Sequence, residues 1–317
     1  MKKILVTRNL LPENEERVKK LFDAKLNKAD NILSAEELIN QSKDCDGILC
    51  IGGNKFDKAI IDQLSSSVKI IANYAVGYNN VDVDAAKQKG IVVTNTPEVL
   101  TDATADISIL LLLGASRRAY EGRKHAETQS WNWSTNFLMG KQMSNKKLGI
   151  LGMGRIGRAV AQRARGFGME IHYHNRSKLS PDLELGAIYH DNIKSLFSQS
   201  DFLSINCPAT AETTNLLNEE TINFLPDKAV VANAARGDII DDAAMIKAMK
   251  SGKIFALGLD VYNGEPKINE EYLQLDNLFL LPHLGSSTKR TRIDMGDRAI
   301  DNLETFFSGK TPLDKVN

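Results

Sequence analysis

The chain has 317 residues, 42% of them hydrophobic and 25% charged, and its 40 basic side chains balance 40 acidic ones. That composition excludes a disordered chain, and a formal net charge of zero provides no global field to draw the protein to nucleic acid or to an anionic membrane. The length is enough for two ordinary domains, and a small-molecule partner is the expectation.

The opening Met1-Lys2-Lys3-Ile4-Leu5-Val6-Thr7-Arg8 holds too short an apolar run for a secretory leader, and it reads as a strand over 3–7. Further strands are expected at 47–51, 69–73 and 91–93. Helix-period segments at 13–22, after the capping pair Ser34 and Glu37, at 58–64 and at 83–89 lie between them. Alternation of this kind implies a parallel, helix-covered sheet. Residues 101–127 are expected as one long helix. Its apolar run over 107–113 is well short of the roughly twenty residues needed to span a bilayer.

A second series begins at 147, with strands expected at 148–151, 170–173, 202–205, 229–232, 256–259 and 279–281, and a helix over 286–307 closes the chain. Six strands make a complete dinucleotide-binding sheet, whereas ten or so in one sheet would be unusually wide. The expected fold is therefore α/β with two doubly wound parallel-sheet domains. A Rossmann cofactor domain (101–284) is inserted in a flavodoxin-like substrate domain (1–100 and 285–317), with a cleft between them as the ligand site. Cys45, Cys50 and Cys207 are odd in number and lack metal-ligand spacing, so they read as small apolar fillers in a reducing, cytoplasmic protein with no metal.

The strand at 148–151 runs into Gly152-Met153-Gly154-Arg155-Ile156-Gly157 and then a helix-forming sequence. In that context the first glycine makes the tight turn, the second lets backbone approach a pyrophosphate, and the third lets helix and strand pack. The helix N-terminus offers unpaired N–H groups to the phosphates. At the end of the next strand, where NAD enzymes place a carboxylate on the ribose 2′-hydroxyl, stands Asn175, followed by Arg176 and Ser177. A cation with a hydroxyl neighbour suits a 2′-phosphate, which favours NADP(H), with NAD(H) as the alternative.

Three polar residues each follow an expected strand: Arg236, Glu265 and His283. Reducing a 2-oxo acid needs a cation for the carboxylate and a proton donor for the developing alkoxide. The planar guanidinium of arginine suits the first task, and imidazole suits the second, oriented by a neighbouring carboxylate.

With the glycine motif, these segments closely resemble the D-isomer-specific 2-hydroxyacid dehydrogenases over nearly the whole chain, and most of all their NADPH-preferring glyoxylate and hydroxypyruvate reductase branch. The resemblance implies that Arg236 binds and polarises the substrate, that His283 is the acid/base with Glu265 as its partner, and that Val76 and Gly77 present backbone N–H groups to the substrate carboxylate. It places Asp260 near the nicotinamide. It further implies cofactor contacts at Thr104, Arg155, Ile156, Cys207, Pro208, Thr213, Ala234 and Gly285, and a homodimer. Trp131 and Trp133 read either as locally packed residues or as an arm, one tryptophan of which closes the partner's substrate pocket. Two other readings stand beside this one: a nucleotide-sensing binding protein of the corepressor type, and a short phosphoglycerate dehydrogenase.

Overall fold

The computed structural model describes residues Met1–Asn317, which divide into two units. Met1–Leu100 together with Ser287–Asn317 form one, and Thr101–Ser286 form the other. Gly285 and Ser286, expected in the first unit, belong to the second. The reason is local: Asp260 and Thr104, both in the second unit, hydrogen-bond the backbone of Gly285.

The first unit holds five parallel strands: β1 (Lys3–Val6), β2 (Asp23–Leu26), β3 (Gly47–Cys50), β4 (Ile70–Asn73) and β5 (Val92–Thr94), in the order β2-β1-β3-β4-β5. This is the flavodoxin-like order. Leu5, Ile48, Ile71 and Val93, one from each of four strands, are fully buried in its core. The helix Ala35–Ser42 opens with the expected capping box, Ser34 accepting from Glu37 N while Glu37 accepts from Ser34 N.

The second unit holds β6 (Lys147–Leu151), β7 (Glu170–His174), β8 (Ile188–His190), β9 (Phe202–Ile205), β10 (Ala229–Asn233), β11 (Ile254–Leu259) and β12 (Leu278–Leu280), in the order β12-β11-β10-β9-β6-β7-β8. Six of these make the Rossmann order, and β12 adds a seventh strand beside β11. Both faces of this sheet are covered. Alternate residues of β10 enter opposite cores, Ala229 and Val231 on one side and Val230 and Ala232 on the other.

Three expectations change. β2 and β8 had no counterpart among the expected strands; each pairs on one side only, and Asp23 and Lys25 hide the strand pattern of β2. The long helix over 101–127 is two helices, Thr101–Ser116 and Ala119–Thr128, because Arg118 takes a left-handed φ of 53°. The closing helix is Lys289–Phe307, capped by the Thr288 hydroxyl accepting from Thr291 N. No helix is long and apolar enough to cross a membrane.

Candidate active site

β10, β11 and β12 are neighbours, and the chain leaving each of them carries one of the three expected polar residues. The carboxyl ends of parallel strands share one edge of the sheet, so Arg236, Glu265 and His283 are delivered to the same place. Two residues that the sequence reading did not single out fix these loops. Asn233, fully buried at the end of β10, donates from Nδ2 to Arg236 O (2.8 Å) and accepts at Oδ1 from Ala235 N (2.9 Å). Tyr262 donates its N–H to Glu265 Oε1 (2.9 Å) and its hydroxyl to Leu281 O (2.7 Å), tying the loop after β11 to the chain entering His283. Gly237 lies so close to the Tyr262 backbone that a Cβ there would overlap it, so the loop of Arg236 presses on the loop of Glu265.

His283 Nδ1 lies 2.7 Å from Glu265 Oε2. An ionised carboxyl can only accept, so Nδ1 carries the proton and Nε2 is the exchanging nitrogen. Burial pushes Glu265 up, but the hydrogen bonds from His283 and Tyr262 N–H, with the charges of His283 and Arg236, outweigh it. The net shift is below the ordinary 4.5, so the group is a carboxylate at neutral pH. Arg236 is half-buried, and burial lowers its pKa against the charges of Glu265 and Asp238. A guanidinium stays protonated through such a shift. Its Nη1 donates to Ala235 O (2.6 Å), which fixes the side chain without consuming its charge.

His283 itself has a φ of 58°, uncommon for a residue with a side chain. Asp260, 1% exposed, holds the next residues: Oδ1 accepts from Leu284 N (2.6 Å) and Oδ2 from Gly285 N (2.8 Å). Burial raises the pKa of Asp260 even though both N–H bonds favour its anion. Thr104 Oγ1 donates to Gly285 O (3.1 Å). In this structure Asp260 and Thr104 therefore position the turn that carries His283. Beside the pair of His283 and Glu265 lies a cavity of about 250 Å³ walled by Tyr262, Pro266, Ile268, Leu280, Leu281 and Pro282.

The glycine loop follows β6. Gly152 has a φ of 94°, and a Cβ there would sit 2.6 Å from Cys207 N; a Cβ on Gly157 would collide with Gly152 O. By contrast, a Cβ on Gly154 would meet nothing within 4 Å. Two glycines are thus demanded by the turn and by packing. The middle one faces open space at the start of the helix Arg155–Arg165, where Arg155 is exposed and Ile156 half-buried. A pyrophosphate fits that opening.

Asn175, at the end of β7, is half-buried. Its Oδ1 accepts from Met153 N (2.6 Å) and braces the glycine loop. Arg176 and Ser177 are exposed beyond it, and Arg176 has no carboxylate partner, whereas Lys178 lies 3.9 Å from Glu184. Cys207 is half-buried and its thiol is pushed up to about 11 by burial, so it is a neutral wall residue. Thr213 closes the turn after it, its hydroxyl donating to Pro208 O (2.7 Å) and accepting from Thr210 N (2.8 Å). Ala234 stands half-buried in the loop between β10 and Arg236. Val76 and Gly77 lie in the other unit, on the loop after β4.

Residues 109–285 match the family described as "D-isomer specific 2-hydroxyacid dehydrogenase, NAD binding domain". The glycerate dehydrogenase of Hyphomicrobium methylovorum is 41% identical over 311 residues, 97% of each chain. The glyoxylate reductase of Thermococcus kodakarensis is 40% identical over 322 aligned positions, covering 99% of this chain and 96% of its own. Among solved structures, the NADPH-dependent glyoxylate/hydroxypyruvate reductase of Sinorhizobium meliloti, in complex with NADP and malonate, superposes with a TM-score of 0.89 at 34% identity, covering 99% of this chain and 96% of that one. With these likenesses running the length of a chain whose fold and strand-end residues already have the required form, the protein belongs to the D-isomer-specific 2-hydroxyacid dehydrogenase family and is an oxidoreductase.

Proposed function

We propose that the protein reduces small 2-oxo acids, glyoxylate and hydroxypyruvate foremost, to the corresponding D-2-hydroxy acids with NADPH in preference to NADH, as a homodimer. The observation that carries this reading is the bonded pair of His283 and Glu265 beside Arg236 on three adjacent strand ends. In the reduction, Arg236 takes the substrate carboxylate in its fork and polarises the neighbouring carbonyl. The family resemblance also assigns backbone N–H groups of Val76 and Gly77 to the binding of a substrate carboxylate. The nicotinamide, when bound, supplies the hydride to C2. Protonated His283 passes the proton on Nε2 to the carbonyl oxygen as the C–H bond forms, and Glu265 keeps the resulting neutral imidazole in its Nδ1–H form. Relatives named glycerate dehydrogenase and glyoxylate reductase, matched over nearly the whole chain, favour this reading over a nucleotide sensor or a short phosphoglycerate dehydrogenase.

Preference for NADPH rests on Arg176 and Ser177, exposed beyond β7 with the Arg176 cation unpaired. The test is a panel of glyoxylate, hydroxypyruvate, pyruvate and branched 2-oxo acids against NADPH and NADH, run with the wild type and Arg176→Ala. Reduction of the two smallest hydroxylated or unsubstituted acids is expected, with the variant raising KM for NADPH about tenfold or more and that for NADH little. Turnover of none of these acids would overturn the activity, and equal effects on the two cofactors would overturn the role of Arg176.

A further inference from the structure

The loop after β4 contains three successive peptide planes whose carbonyls are all tied down within the first unit. Ala75 O accepts from Thr96 N (2.9 Å), Val76 O from Asn95 Nδ2 (2.8 Å) and Gly77 O from Asn73 Nδ2 (3.0 Å). In a trans peptide the N–H points opposite to the C=O of the same plane. The N–H groups of Val76, Gly77 and Tyr78 are therefore turned away from their three anchors. None of the three has an acceptor in the protein, although Val76 and Gly77 are half-buried. Amides that the fold orients and leaves without a protein acceptor are available to an external one, water or a ligand.

The anchors are themselves fixed. Asn73 is 1% exposed, and its Oδ1 accepts from Asn80 Nδ2 (3.1 Å), so its amide orientation is set and Nδ2 is the group that faces Gly77 O. Asn95 is gripped through its backbone: its N–H donates to Asp314 O (3.2 Å), and its carbonyl accepts from Asn302 Nδ2 (3.2 Å). Asn302, 3% exposed, also donates to Asp314 Oδ2 (3.0 Å), and Arg298 clamps both oxygens of Asp314 at 2.8 Å. The side chain of Asn95 is left with one task, the bond to Val76 O.

We infer that Asn95 and Asn73 are positioning residues that hold the peptide planes of Val76 and Gly77 so that consecutive outward N–H groups receive the carboxylate of the 2-oxo acid. This deepens the proposed reduction and rests on it. Neither asparagine touches the substrate; each acts through the carbonyl it holds.

Asn95 is the residue to test, because removing its side chain leaves both backbone links to Asn302 and Asp314 in place. Asn95→Ala deletes the donor. Asn95→Asp, nearly the same in shape, sets an acceptor against Val76 O and repels it. Both variants should raise KM for glyoxylate and the inhibition constant of oxamate, a non-reducible 2-oxo acid analogue, by about tenfold or more, the aspartate variant by the larger factor. NADPH affinity, measured by fluorescence titration, and the thermal midpoint should stay near wild type. A loosened fold would instead lower the midpoint and move cofactor binding and kcat together. Arg236→Gln serves as the comparison. If it weakens glyoxylate and oxamate while both Asn95 variants bind them as wild type does, the positioning role is overturned and the reduction stands. If Arg236→Gln is also without effect, it is the 2-oxo acid reading that falls. A parallel loss of midpoint, NADPH affinity and oxamate binding in both Asn95 variants would assign Asn95 to the fold alone.

Discussion

At the scale of single residues, charge and proton inventory decide what each group in the site can do. The carboxylate of Glu265 accepts from Tyr262 N–H through one oxygen and from His283 through the other, so the imidazole is held in one tautomer before any ligand arrives. Replacing His283 by alanine removes the proton donor and leaves the glycine loop intact. Turnover should fall by about 100-fold or more while NADPH binding, measured by fluorescence titration, is retained. A turnover near wild type would make His283 a turn residue only. Glu265 also gives a stability test whose sign follows from its shift. Its folded pKa lies below the ordinary 4.5, so the stability that its ionised, hydrogen-bonded form contributes is present above that value and is lost as pH falls through the lower folded pKa. Asp260 runs the opposite way: its raised pKa makes ionisation a cost that grows as pH rises from 3.8 through the folded value. The difference in thermal midpoint between wild type and Glu265→Gln isolates the first effect. It should shrink as pH falls below about 4.5, and a difference that does not change between about pH 5 and pH 3 would contradict the pairing.

At the scale of elements, the glycine motif works because β6 and the helix Arg155–Arg165 approach until Gly157 has no room for a Cβ beside Gly152 O. Gly157→Ala should push the helix off the strand. The expected results are a loss of about 1–3 kcal/mol in unfolding free energy, as overpacking against backbone gives, and weaker binding of either cofactor, both read from denaturant titration with and without NADPH. Wild-type stability with wild-type cofactor affinity would show that the approach is not tight. The same motif was legible in the sequence, as were ten of the strands, because apolar runs bounded by turn residues leave a clear signal when both faces are buried. What escaped depends on single contacts. β8 is a three-residue edge strand, the break at Arg118 is one left-handed residue inside a helix-forming stretch, and Asn175 turned out to brace Met153 N. Asn233 and Tyr262 were missed for a related reason: each acts by hydrogen-bonding backbone, and backbone acceptors leave no mark on the sequence. A polar residue at the carboxyl end of an apolar strand, as Asn233 is after Val230-Val231-Ala232, was the one available sign.

At the scale of the whole molecule, the distribution of exposed apolar side chains is uneven. Of the thirteen large hydrophobics most exposed to solvent, five lie in the thirty residues from Leu110 to Met139: Leu110, Tyr120, Trp131, Trp133 and Met139. Trp133 is 98% exposed, which rules out the local packing that its residue type would lead one to expect. A second copy of the chain is the cover that the proposed homodimer supplies, and in a two-fold dimer any contact made by Trp133 occurs twice. If that tryptophan closes the partner's substrate site, Trp133→Ala should raise KM for glyoxylate while sedimentation still shows a dimer. Mixing that variant with His283→Ala and allowing subunits to exchange then separates the arrangements. In a mixed dimer, a tryptophan acting across the two-fold axis leaves one site with both lesions and the other with neither. At equal proportions about half of the dimers are mixed, so about a quarter of all sites, and of wild-type activity at low substrate, should return. A tryptophan serving its own subunit leaves a lesion in every site, and activity would then stay at the level of the unmixed variants even after exchange is demonstrated.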